Sequence, residues 1–480
     1  MVSSLRTRSG TRTGREGGAV AARWSAPPWA RCTLARYHSI LWVRPDPDND
    51  EGEGERPLIR ARRSSCPPSH QGMPGPRPVP QPGSGTDGRG LGRGADTVDT
   101  HTTATAPHPA PAAVAAAPLT LGVEEELLLV DATTWRPAPL AAEVLAAAGG
   151  PGPHLQGEGT PYQVELATPV AATAAELRVS LGSLRAALAG AARDLGCRLV
   201  ASPVPVLGPD GAVELTADQD RQRAMQDHFG ALNQTLIGCG RHVHVGPLDT
   251  AGAVAVSNRI RAWVPTLITL SANSPYAYGR DSGHASWRTV AWSGWPTAGP
   301  TPYFDGVAGY ERTVRRLLDV QAVLDPHMLY WDLRPSRKWP TLELRAPDVT
   351  PDAEHAVLLA VLGRALVSTA LRAQEEELPL PPAEDEVLRL ARWRAAHDGL
   401  EGAGVDPCTG TEVPAIQLAT RLLEALAPAL DATGDLDFAA DALDGLLCGG
   451  SWAARQRGVF SRRGDMTDVL RFLAEETERP

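Results

Sequence analysis

The stretch LTLGVEEELLLVD (residues 119–131) predicts a long β-strand that ends in a turn. Alternate side chains of a strand share a face, so Glu124 and Glu126 would point one way and Glu125 the other. Two carboxylates side by side repel each other unless a cation lies between them. This strand therefore predicts an acidic face, for which a solvated polar surface is the ordinary interpretation.

Three further predicted strands place chemically active side chains on a single face. Glu165 is flanked by Val164 and Leu166, and Glu343 lies between two leucines. One such residue on one strand is ordinarily a surface group, but four strands with this arrangement indicate a functional sheet face. The residues are Glu165 in 161–170, His242 and His244 in 241–245, and Glu343 and Arg345 in 341–346.

Helical periodicity dominates the second half of the sequence. Strands cluster in the first half, which predicts an α+β fold: an antiparallel β-sheet that carries the active site on one face, with helices packed around it. The predicted helices begin at Thr173, which has capping-box spacing to Glu176, and continue over 218–234, 253–272, 310–323, 352–376, 384–398, 413–429, 435–447 and 465–477.

The composition excludes several classes of protein. The chain has 480 residues, 42% hydrophobic and 21% charged, which is enough apolar material for a sizeable core. Residues 1–118 hold 15 Arg against 10 Asp and Glu, which leaves residues 119–480 with 31 basic and 46 acidic side chains. This acidic body argues against nucleic-acid binding, and no apolar run of about 18 residues predicts a membrane span.

The cysteines and the start of the chain predict a cytoplasmic protein. Six cysteines are scattered along the sequence and none form a C-x-x-C pair, so neither a disulfide framework nor a zinc ribbon is expected. The longest apolar run near the start, Leu41-Trp42-Val43, is too short for the core of a signal peptide. A reducing cytoplasm is the expected compartment.

Residues 1–118 are predicted to be a disordered, low-complexity extension, and residues 119–480 the catalytic domain. The extension holds 16 Pro and 14 Gly and shows no sustained period of 2 or 3.6. Such a segment cannot bury enough apolar area to offset the entropy of ordering it. An Arg-rich tail that binds RNA or a partner is one interpretation, and a dispensable extension is the favoured one.

The polar sheet face suits hard cations together with a polyanion. Carboxylates hold Mg²⁺ or Mn²⁺, and arginine clamps phosphate groups. The sequence has no Walker A motif, and no G-x-G-x-x-G follows a predicted strand. A nucleotide would therefore bind through metals and arginines on the sheet, without a glycine-rich loop at a helix N-terminus.

Seven motifs occur in order between residue 119 and the C-terminus: GVEEELLLVD, QVELATPV, GRHVHVG, SANSPYAYGRDSGHASWR, WPTAGPTPYF, YWDLRPS and PTLELRAPDV. Together they are similar to the carboxylate–amine ligase family, the glutamate–cysteine ligase type 2 group with its YbdK-like subfamily. More distantly, the G-x-E-x-E, E-x-A-T, H-x-H and E-x-R patterns resemble glutamine synthetase. The resemblance does not extend to residues 1–118.

The resemblance implies an ATP-dependent ligase with weak glutamate–cysteine ligase activity. ATP would phosphorylate the γ-carboxylate of glutamate, and the amine of cysteine would attack the acyl phosphate, giving γ-glutamylcysteine, ADP and phosphate. Glu125, on the opposite strand face, should not be a metal ligand, and Glu125→Gln should be mild. The implied roles are Mg²⁺ or Mn²⁺ binding by Glu124, Glu126, Glu165, His242 and Glu343, nucleotide binding by His244, Arg337 and Arg345, and contact with the substrate carboxylate or phosphoryl group by Arg288 and Arg334.

Two further features bear on this hypothesis. The Gly-, Pro- and Trp-rich stretch 274–308 is predicted to be a long loop, either a lid over the reactive acyl phosphate or a rigid packed loop. Arg241 stands where the family favours an apolar residue, and Ser451 and Trp452 stand where a Gly-Thr-Gly-like turn is expected. The residues of the metal face are intact, so these departures do not indicate an inactive enzyme.

Two rival functions stay open at this point. H-x-H on a strand is also typical of zinc metallohydrolases, in which Zn²⁺ activates water. A non-catalytic nucleotide or amino-acid sensor could use the same scaffold. The partners expected from the ligase hypothesis are small molecules, with neither nucleic acid nor membrane, and a homo-oligomer is left open. The sequence does not name the amine, because one methylene is worth only about 1–3 kcal/mol of selectivity.

Overall fold

The computed structural model of this chain describes residues 118–213, 215–216, 220–234 and 237–479. All of these fall within the unit Ala106–Pro480. The predicted disordered extension lies outside the described residues except for Pro118. The extension and the domain boundary after residue 118 therefore stay predictions.

An antiparallel sheet lies at the centre of the described residues. Their strands, in chain order, are β1 Thr120–Asp131, β2 Leu155–Gly157, β3 Gln163–Ala167, β4 Cys197–Val200, β5 Arg241–Gly246, β6 Tyr276–Ala277, β7 Arg280–Asp281, β8 Leu333–Pro335, β9 Leu342–Leu344, β10 Ala403–Val405 and β11 Glu412–Pro414. Seven of them form one sheet of order β2-β3-β1-β5-β9-β8, and β4 pairs with the far end of β1. The other four form two short hairpins, β6-β7 and β10-β11.

The long strand β1 organises this sheet, because three strands pair with it. Its first half alternates between half-buried and buried residues, and its second half, LLLV, is buried throughout. The alternating half pairs with β3 and β5, so that Glu126 lies opposite Glu165 and Glu124 opposite His242. The apolar half reaches into the core and pairs with β4.

Helices dominate the rest of the described chain. They are α1 Ala141–Ala147, α2 Ala174–Asp194, α3 Asp220–Phe229, α4 Ala231–Gln234, α5 Thr250–Ile260, α6 Val264–Ser271, α7 Trp287–Trp292, α8 Gly306–Asp319, α9 Ala353–Glu375, α10 Asp385–Asp398, α11 Ala415–Ala432, α12 Leu436–Gly449, α13 Trp452–Arg463 and α14 Met466–Thr477. The predicted α+β fold, with an antiparallel sheet and surrounding helices, is confirmed.

The back face of the sheet, opposite Glu124 and Glu126, is covered by helices α2 and α9. Arg185 of α2 binds Glu125 behind β1. Gly363 of α9 packs so closely on Val243 and Leu344 that an added methyl group would lie 3.2–3.4 Å from their side chains. The back face of the sheet therefore packs in the core, and the face that carries Glu124 and Glu126 is open to form a site.

Helix α9 is long and apolar enough to cross a membrane by length and composition alone. In this protein 72% of its most apolar 18-residue window is buried. It packs on strands β1 and β5 and on neighbouring helices. The finding therefore fits the core helix of a folded domain.

The predicted helix start at Thr173 is confirmed. The Thr173 side chain accepts a hydrogen bond from the Glu176 amide, as expected of an N-cap. The Glu176 carboxylate accepts from the amide of Ala172 at 2.8 Å, so the return bond of the capping box reaches one residue further back. The helices predicted over 352–376 and 384–398 match α9 and α10 to within one residue at each end.

Several predicted boundaries were wrong. The helix expected over 253–272, with a kink considered at Pro265, is two helices separated by the 3₁₀ turn Arg261–Trp263, because Pro265 can begin a helix but cannot continue one. The loop expected over 274–308 contains the hairpin β6-β7 and helix α7. Helix α13 was missed, although Ser451 caps it by accepting from the Ala454 amide.

Candidate active site

The ten residues singled out in the sequence all line the same cavity, which has a volume of about 520 Å³. The sheet brings together the seven carried on β1, β3, β5, β8 and β9, and the other three are Arg345 directly after β9, Arg288 on helix α7 and Arg337 in the 336–341 turn. Their proximity is thus a property of the fold, while their chemical roles stay predictions. The ten residues are Glu124, Glu126, Glu165, His242, His244, Arg288, Arg334, Arg337, Glu343 and Arg345.

Three rows of side chains cross the front face of the sheet, which is the face that carries Glu124 and Glu126. Carboxylates gather on the β1 and β3 side and guanidinium groups on the β8 and β9 side, with the two imidazoles between them. Cations would therefore bind at one side of the cavity and anions at the other. The rows are Gln156, Glu165 and Glu126; Glu124, His242 and Arg345; and His244, Glu343 and Arg334.

Glu124 lies between the two histidines. Its carboxylate oxygens are 3.1 Å from His242 Nδ1 and 3.3 Å from His244 Nε2. Burial opposes ionisation of Glu124, but the hydrogen bonds and charges of the two imidazoles hold its pKa well below its usual range. Burial and the nearby Arg345 guanidinium lower the pKa of His242, so its imidazole is neutral at pH 7 and can act as a metal ligand.

The acidic side of the cavity holds more negative charge than its surroundings neutralise. Burial, together with the charges of Glu158, Glu124 and Glu126, raises the pKa of Glu165. Burial and the charge of Glu126 likewise raise the pKa of Glu158. The neutral amide of Gln156 donates a hydrogen bond to Glu165, and Glu158 shares a hydrogen bond with Glu165. Within the described ranges neither Glu158 nor Glu165 forms an ion pair with an arginine or lysine, and carboxylates grouped in this way suit a divalent cation.

The opposite side of the cavity is organised around Glu343. Its Oε2 lies 2.6 Å from Arg334 Nη2 and 3.1 Å from Arg345 Nη1. Burial works against the charge of Glu343, but the two guanidinium groups lower its pKa to about 2. Arg334 also donates to the carbonyls of His327 and Leu329. The two arginines are thus held in fixed positions across the cavity from its acidic side. Their remaining N–H groups can donate to an anion.

Arg288 occupies space that only a glycine leaves open. It is buried, and its guanidinium donates long bonds of 3.3–3.4 Å to the carbonyls of Arg345, Ala346 and Pro347. A Cβ on Gly240 would lie 2.3 Å from Arg288 Nη2. Arg288 Nη1 also lies 3.7 Å from a carboxylate oxygen of the buried Asp348, and Nε has no hydrogen-bond partner within the described residues. These long contacts leave donor capacity beside the cavity for a substrate carboxylate or phosphoryl group.

An aromatic wall closes part of the cavity and comprises Trp292, Trp295 and Tyr330. The ring centroids lie 5.0 Å apart for Trp292 and Tyr330, 5.5 Å for Trp295 and Tyr330, and 5.8 Å for the two tryptophans. Met225 of α3 lines the same cavity and packs in the same cluster. A packed apolar wall limits the access of water, as a hydrolysable intermediate requires. Whether the segment 274–308 moves as a lid stays a prediction.

The turn that precedes β9 supplies the other edge of the cavity. Arg337, Lys338 and Trp339 line it, and the Trp339 side chain is exposed. The ammonium group of Lys338 lies 5.1 Å from the centre of the Trp339 ring. Arg337, predicted to bind the nucleotide, therefore lies at the rim and is not part of the three rows.

Sequence reasoning missed several lining residues. Glu158 follows a three-residue strand and sits between Gly157 and Gly159, where no periodicity marks it. The buried pair Asp332 and Arg392 also lines the cavity, with Nε–Oδ distances of 3.0 and 3.2 Å. These two residues are 60 positions apart in the sequence, so no local motif reveals the pair.

The residues present fit a divalent cation of the Mg²⁺ or Mn²⁺ type. Ligand atoms of Glu124, Glu165 and His242 all lie within 4.8 Å of one another. Two carboxylates and one imidazole form an oxygen-rich set, and Glu126 and Glu158 stand beside it. Such a set suits hard cations better than Zn²⁺, which favours nitrogen and sulfur ligands.

Two solved structures share this fold. One is a glutamate–cysteine ligase from Francisella tularensis in complex with AMP, with a TM-score of 0.57 and 12% identity, over 75% of this chain and 89% of that chain. The other is a bifunctional glutathione synthetase from Pasteurella multocida, with a TM-score of 0.56 and 15% identity, over 75% of this chain and 52% of that chain. At these identities the likeness shows the fold alone.

The family model described as glutamate–cysteine ligase family 2 matches residues 120–473, and the chain belongs to this family. A relative from Saccharopolyspora erythraea, named "Putative glutamate–cysteine ligase 2-1", is 44% identical over 359 residues, 75% of this chain and 95% of the relative. One from Salinispora arenicola, named "Putative glutamate–cysteine ligase 2", is 43% identical over 363 residues, with the same shares. The predicted family, fold class and ligase class are confirmed.

Proposed function

We propose that this protein is a Mg²⁺-dependent ligase that joins the γ-carboxylate of glutamate to the amino group of cysteine at the expense of ATP. The products would be γ-glutamylcysteine, ADP and phosphate. The observation that carries the proposal is the division of the front face, with unneutralised carboxylates on one side and fixed guanidinium groups on the other. An enzyme that brings a polyphosphate and a carboxylate together on metal ions needs both sides.

The residues of the front face have distinct roles in this proposal. Glu124, Glu126, Glu165, His242 and Glu343 would hold the divalent ions. Bound Mg²⁺ supplies positive charge that offsets the negative charge of the phosphates and of the phosphoryl group in transfer. Glu158, which the sequence did not single out, would share this work because it lies against the same carboxylates.

The guanidinium groups would orient the anions. Arg345 and His244 would contact the phosphates, and Arg337 would contact the nucleotide from the rim of the cavity. Arg288 and Arg334 would hold the substrate carboxylate or the phosphoryl group in line for transfer. Glu343 would then act twice, since it also keeps Arg334 and Arg345 in place through their ion pairs.

Protection of the acyl phosphate would come from the walls of the cavity. An acyl phosphate is lost to water unless the amine reaches it first. The wall of Trp292, Trp295 and Tyr330 is apolar, so it excludes water from one side of the cavity.

The acceptor amine can be judged from relative rates. If the reaction with cysteine is much slower than formation of the hydroxamate, cysteine is not the best acceptor.

We propose that the protein works in the cytoplasm. The four described cysteines, Cys197, Cys239, Cys408 and Cys448, are all free thiols. Free thiols are usual in a reducing compartment. ATP is also a cytoplasmic substrate. Export of the protein to an oxidising compartment, detected by cell fractionation, would contradict this proposal.

The proposed function is tested with the purified full-length chain, Mg²⁺, ATP, glutamate and hydroxylamine. The expected product is glutamyl hydroxamate, formed in step with phosphate release and lost when Mg²⁺ is omitted. Replacement of hydroxylamine by each natural amino acid in turn then identifies the amine from the product mass. ATP binding without any product would favour a sensor, and metal-dependent hydrolysis with one bound zinc per chain would favour the hydrolase.

A further inference from the structure

A cluster of charged residues lies behind the sheet, directly under the candidate metal site. This back-face node consists of Glu125, Arg185, Arg241 and Thr350, all of them buried. Glu125 accepts bonds from Arg185 at 2.8 and 2.9 Å and from Arg241 at 2.8 and 3.0 Å. Arg185 therefore binds both carboxylate oxygens in bidentate geometry, and the two Arg241 donors converge on Oε1 alone.

The node includes residues of two strands that carry predicted metal ligands, β1 and β5. Glu125 stands between Glu124 and Glu126 on β1, and Arg241 precedes His242 on β5. Glu125 and Arg241 are register partners across these two strands. Side chains of adjacent strand residues point to opposite faces, so fixing Glu125 and Arg241 behind the sheet fixes the backbone from which the front-face ligands project.

The node also holds the segment that follows β9. The Thr350 hydroxyl accepts from Arg241 Nη2 at 2.9 Å, and the Thr350 carbonyl accepts from Arg185 Nη2 at 2.9 Å. Arg185 donates in addition to the Pro351 carbonyl. Thr350 lies seven residues after Glu343, so the node links the backbone of the third ligand-bearing strand to those of β1 and β5.

Stability alone gives no reason for such a node. Three charges are removed from water, the net charge of the buried side chains is positive, and Arg241 Nη1 has no hydrogen-bond partner within the described residues. Apolar residues of similar volume are often at least as stabilising as a buried ion cluster. Burial and the charge of Arg185 lower the pKa of Arg241, although Glu125 acts against this, so the position is costly for a cation.

We infer that Glu125, Arg185 and Arg241 are positioning residues that set the geometry of the front-face ligands Glu124, Glu126 and His242. The inference rests on the metal site of the proposed function and adds the part of the molecule that shapes it. It also assigns a role to Arg241, which stands where the family favours an apolar residue. Neither Arg241 nor Glu125 touches the cavity, so both act only through their neighbours in the chain.

A purely electrostatic role predicts the opposite effect from a positioning role. Removal of the Arg241 charge would strengthen the binding of a divalent cation if charge alone mattered, because like charges repel through the sheet. Loss of positioning would weaken that binding, because the ligands would no longer converge. Arg241→Met removes both the charge and the hydrogen bonds to Glu125. Arg241→Lys keeps the charge but loses the paired Nε–H and Nη2–H donors.

The test is Mn²⁺ binding to the full-length chain without nucleotide, measured by electron paramagnetic resonance of free Mn²⁺, for the wild type, Arg241→Met and Arg241→Lys. Arg364→Met is the matched control, because Arg364 also forms a buried ion pair, with Asp435, but lines no part of the cavity. Thermal unfolding of each variant reports its loss of stability separately. Thr350→Val, which removes one hydroxyl acceptor, is a milder variant in case Arg241→Met does not fold.

The expected result is at least tenfold weaker Mn²⁺ binding by Arg241→Met, a smaller loss for Arg241→Lys and Thr350→Val, and binding within twofold of wild type for Arg364→Met at a comparable loss of thermal stability. Tighter Mn²⁺ binding by Arg241→Met would show that Arg241 acts through its charge and would contradict the positioning role. Unchanged binding, or equal weakening in Arg364→Met, would make the node merely structural. Wild-type protein that binds no Mn²⁺ would overturn the metal assignment and this inference together.

Discussion

Glu126 on β1 and Glu165 on β3 are direct register partners in an antiparallel strand pair, and both carboxylates line the cavity. Like charges directly opposite each other across two strands are destabilising. Nothing cationic among the described residues forms an ion pair with Glu165. Ionisation of both carboxylates is therefore unfavourable in the metal-free protein, and a bound cation would offset this cost.

Glu165→Gln should make the metal-free protein more stable and a poorer binder of metal. The raised pKa of Glu165, about 10, means that its contribution to stability is present below pH 4.5 and is lost as pH rises through the folded value. The variant escapes this loss, so its advantage over the wild type in free energy of unfolding should grow from pH 5 to pH 8, at up to about 1.4 kcal/mol per pH unit.

Thermal or urea unfolding in the presence of EDTA measures this advantage, and Mn²⁺ titration measures the affinity. Glu143→Gln, which alters an exposed carboxylate on α1, is the control and should leave both quantities unchanged. A variant that is less stable than the wild type at pH 8 would show that Glu165 does not destabilise the metal-free protein. A variant that binds Mn²⁺ normally would show that Glu165 is not a metal ligand.

Metal binding should release protons, with an affinity that rises with pH. Glu158, with a pKa of about 7, and Glu165 both hold protons more tightly than ordinary carboxyl groups, so the metal-free site is partly protonated at neutral pH. A cation binds the ionised forms, and each proton displaced adds about tenfold in affinity per pH unit. Calorimetry at pH 6 and 8, in two buffers of different ionisation enthalpy, measures the protons. Heats that do not depend on the buffer, with pH-independent affinity, would contradict the prediction.

Glu124→Gln and Glu343→Gln should both abolish turnover, by at least about 100-fold in kcat, but they should differ in stability. Glu124 pairs with two imidazoles, which can lose their charge, so Glu124→Gln should lower the unfolding temperature less than Glu343→Gln does. Glu343 neutralises Arg334 and Arg345, so its loss leaves two half-buried cations without their partner and lowers that temperature more. Near-normal turnover in both variants would rule out the metal face.

Glu125→Gln is expected to destabilise the protein, whereas the mild effect predicted from the sequence concerns turnover, in comparison with Glu124→Gln and Glu343→Gln. Its carboxylate is fully buried and binds two guanidinium groups, and loss of one partner in a buried pair costs about 3–5 kcal/mol. Urea unfolding measures the change, with Asp385→Asn as a comparison, since Asp385 pairs with Arg261 at an exposed position. A change below about 1 kcal/mol would show that the back-face node contributes little.

Gly240→Ala should disturb substrate binding more than stability. The new methyl group would lie 2.3 Å from Arg288 Nη2 and 3.3 Å from His242 Nε2, so the guanidinium must move. We expect KM for the carboxylate substrate to rise by about tenfold, equivalent to about 1.4 kcal/mol. Gly182→Ala on α2, where no atom lies within 4 Å, is the control. An unchanged KM would mean that Arg288 does not contact the substrate.

The front face could be predicted from the sequence because its residues follow a local rule. Alternation along a strand assigns Glu124, Glu126, His242, His244 and Glu343 to faces without knowledge of the partner strands. Whether these faces coincide in the folded sheet depends only on the register between strands. The observed pairing of β1 with β3 and β5 places them on the same face. Capping likewise made the start of helix α2 predictable at Thr173.

The remaining parts of the site depend on contacts between distant segments. Glu158 joins Glu126 and Glu165 on the acidic side of the cavity because the turn after β2 folds against β1 and β3. The pairing of Glu125 with Arg185 requires helix α2 to lie behind the sheet, and 60 residues separate the two in the sequence. Arg241, which appeared only as a departure from the family, has its explanation in the same tertiary contact.

The proposed function depends on the transfer of a phosphoryl group from ATP to a carboxylate. This transfer is measured with glutamate labelled with ¹⁸O at both oxygens of its γ-carboxylate, with ATP, Mg²⁺ and cysteine, and mass spectrometry of the released phosphate. An acyl phosphate intermediate requires one carboxylate oxygen to leave with the phosphate, so we expect one ¹⁸O atom per phosphate and per γ-glutamylcysteine formed. Phosphate released without the label would rule out the acyl phosphate, because it would come from the attack of water on ATP.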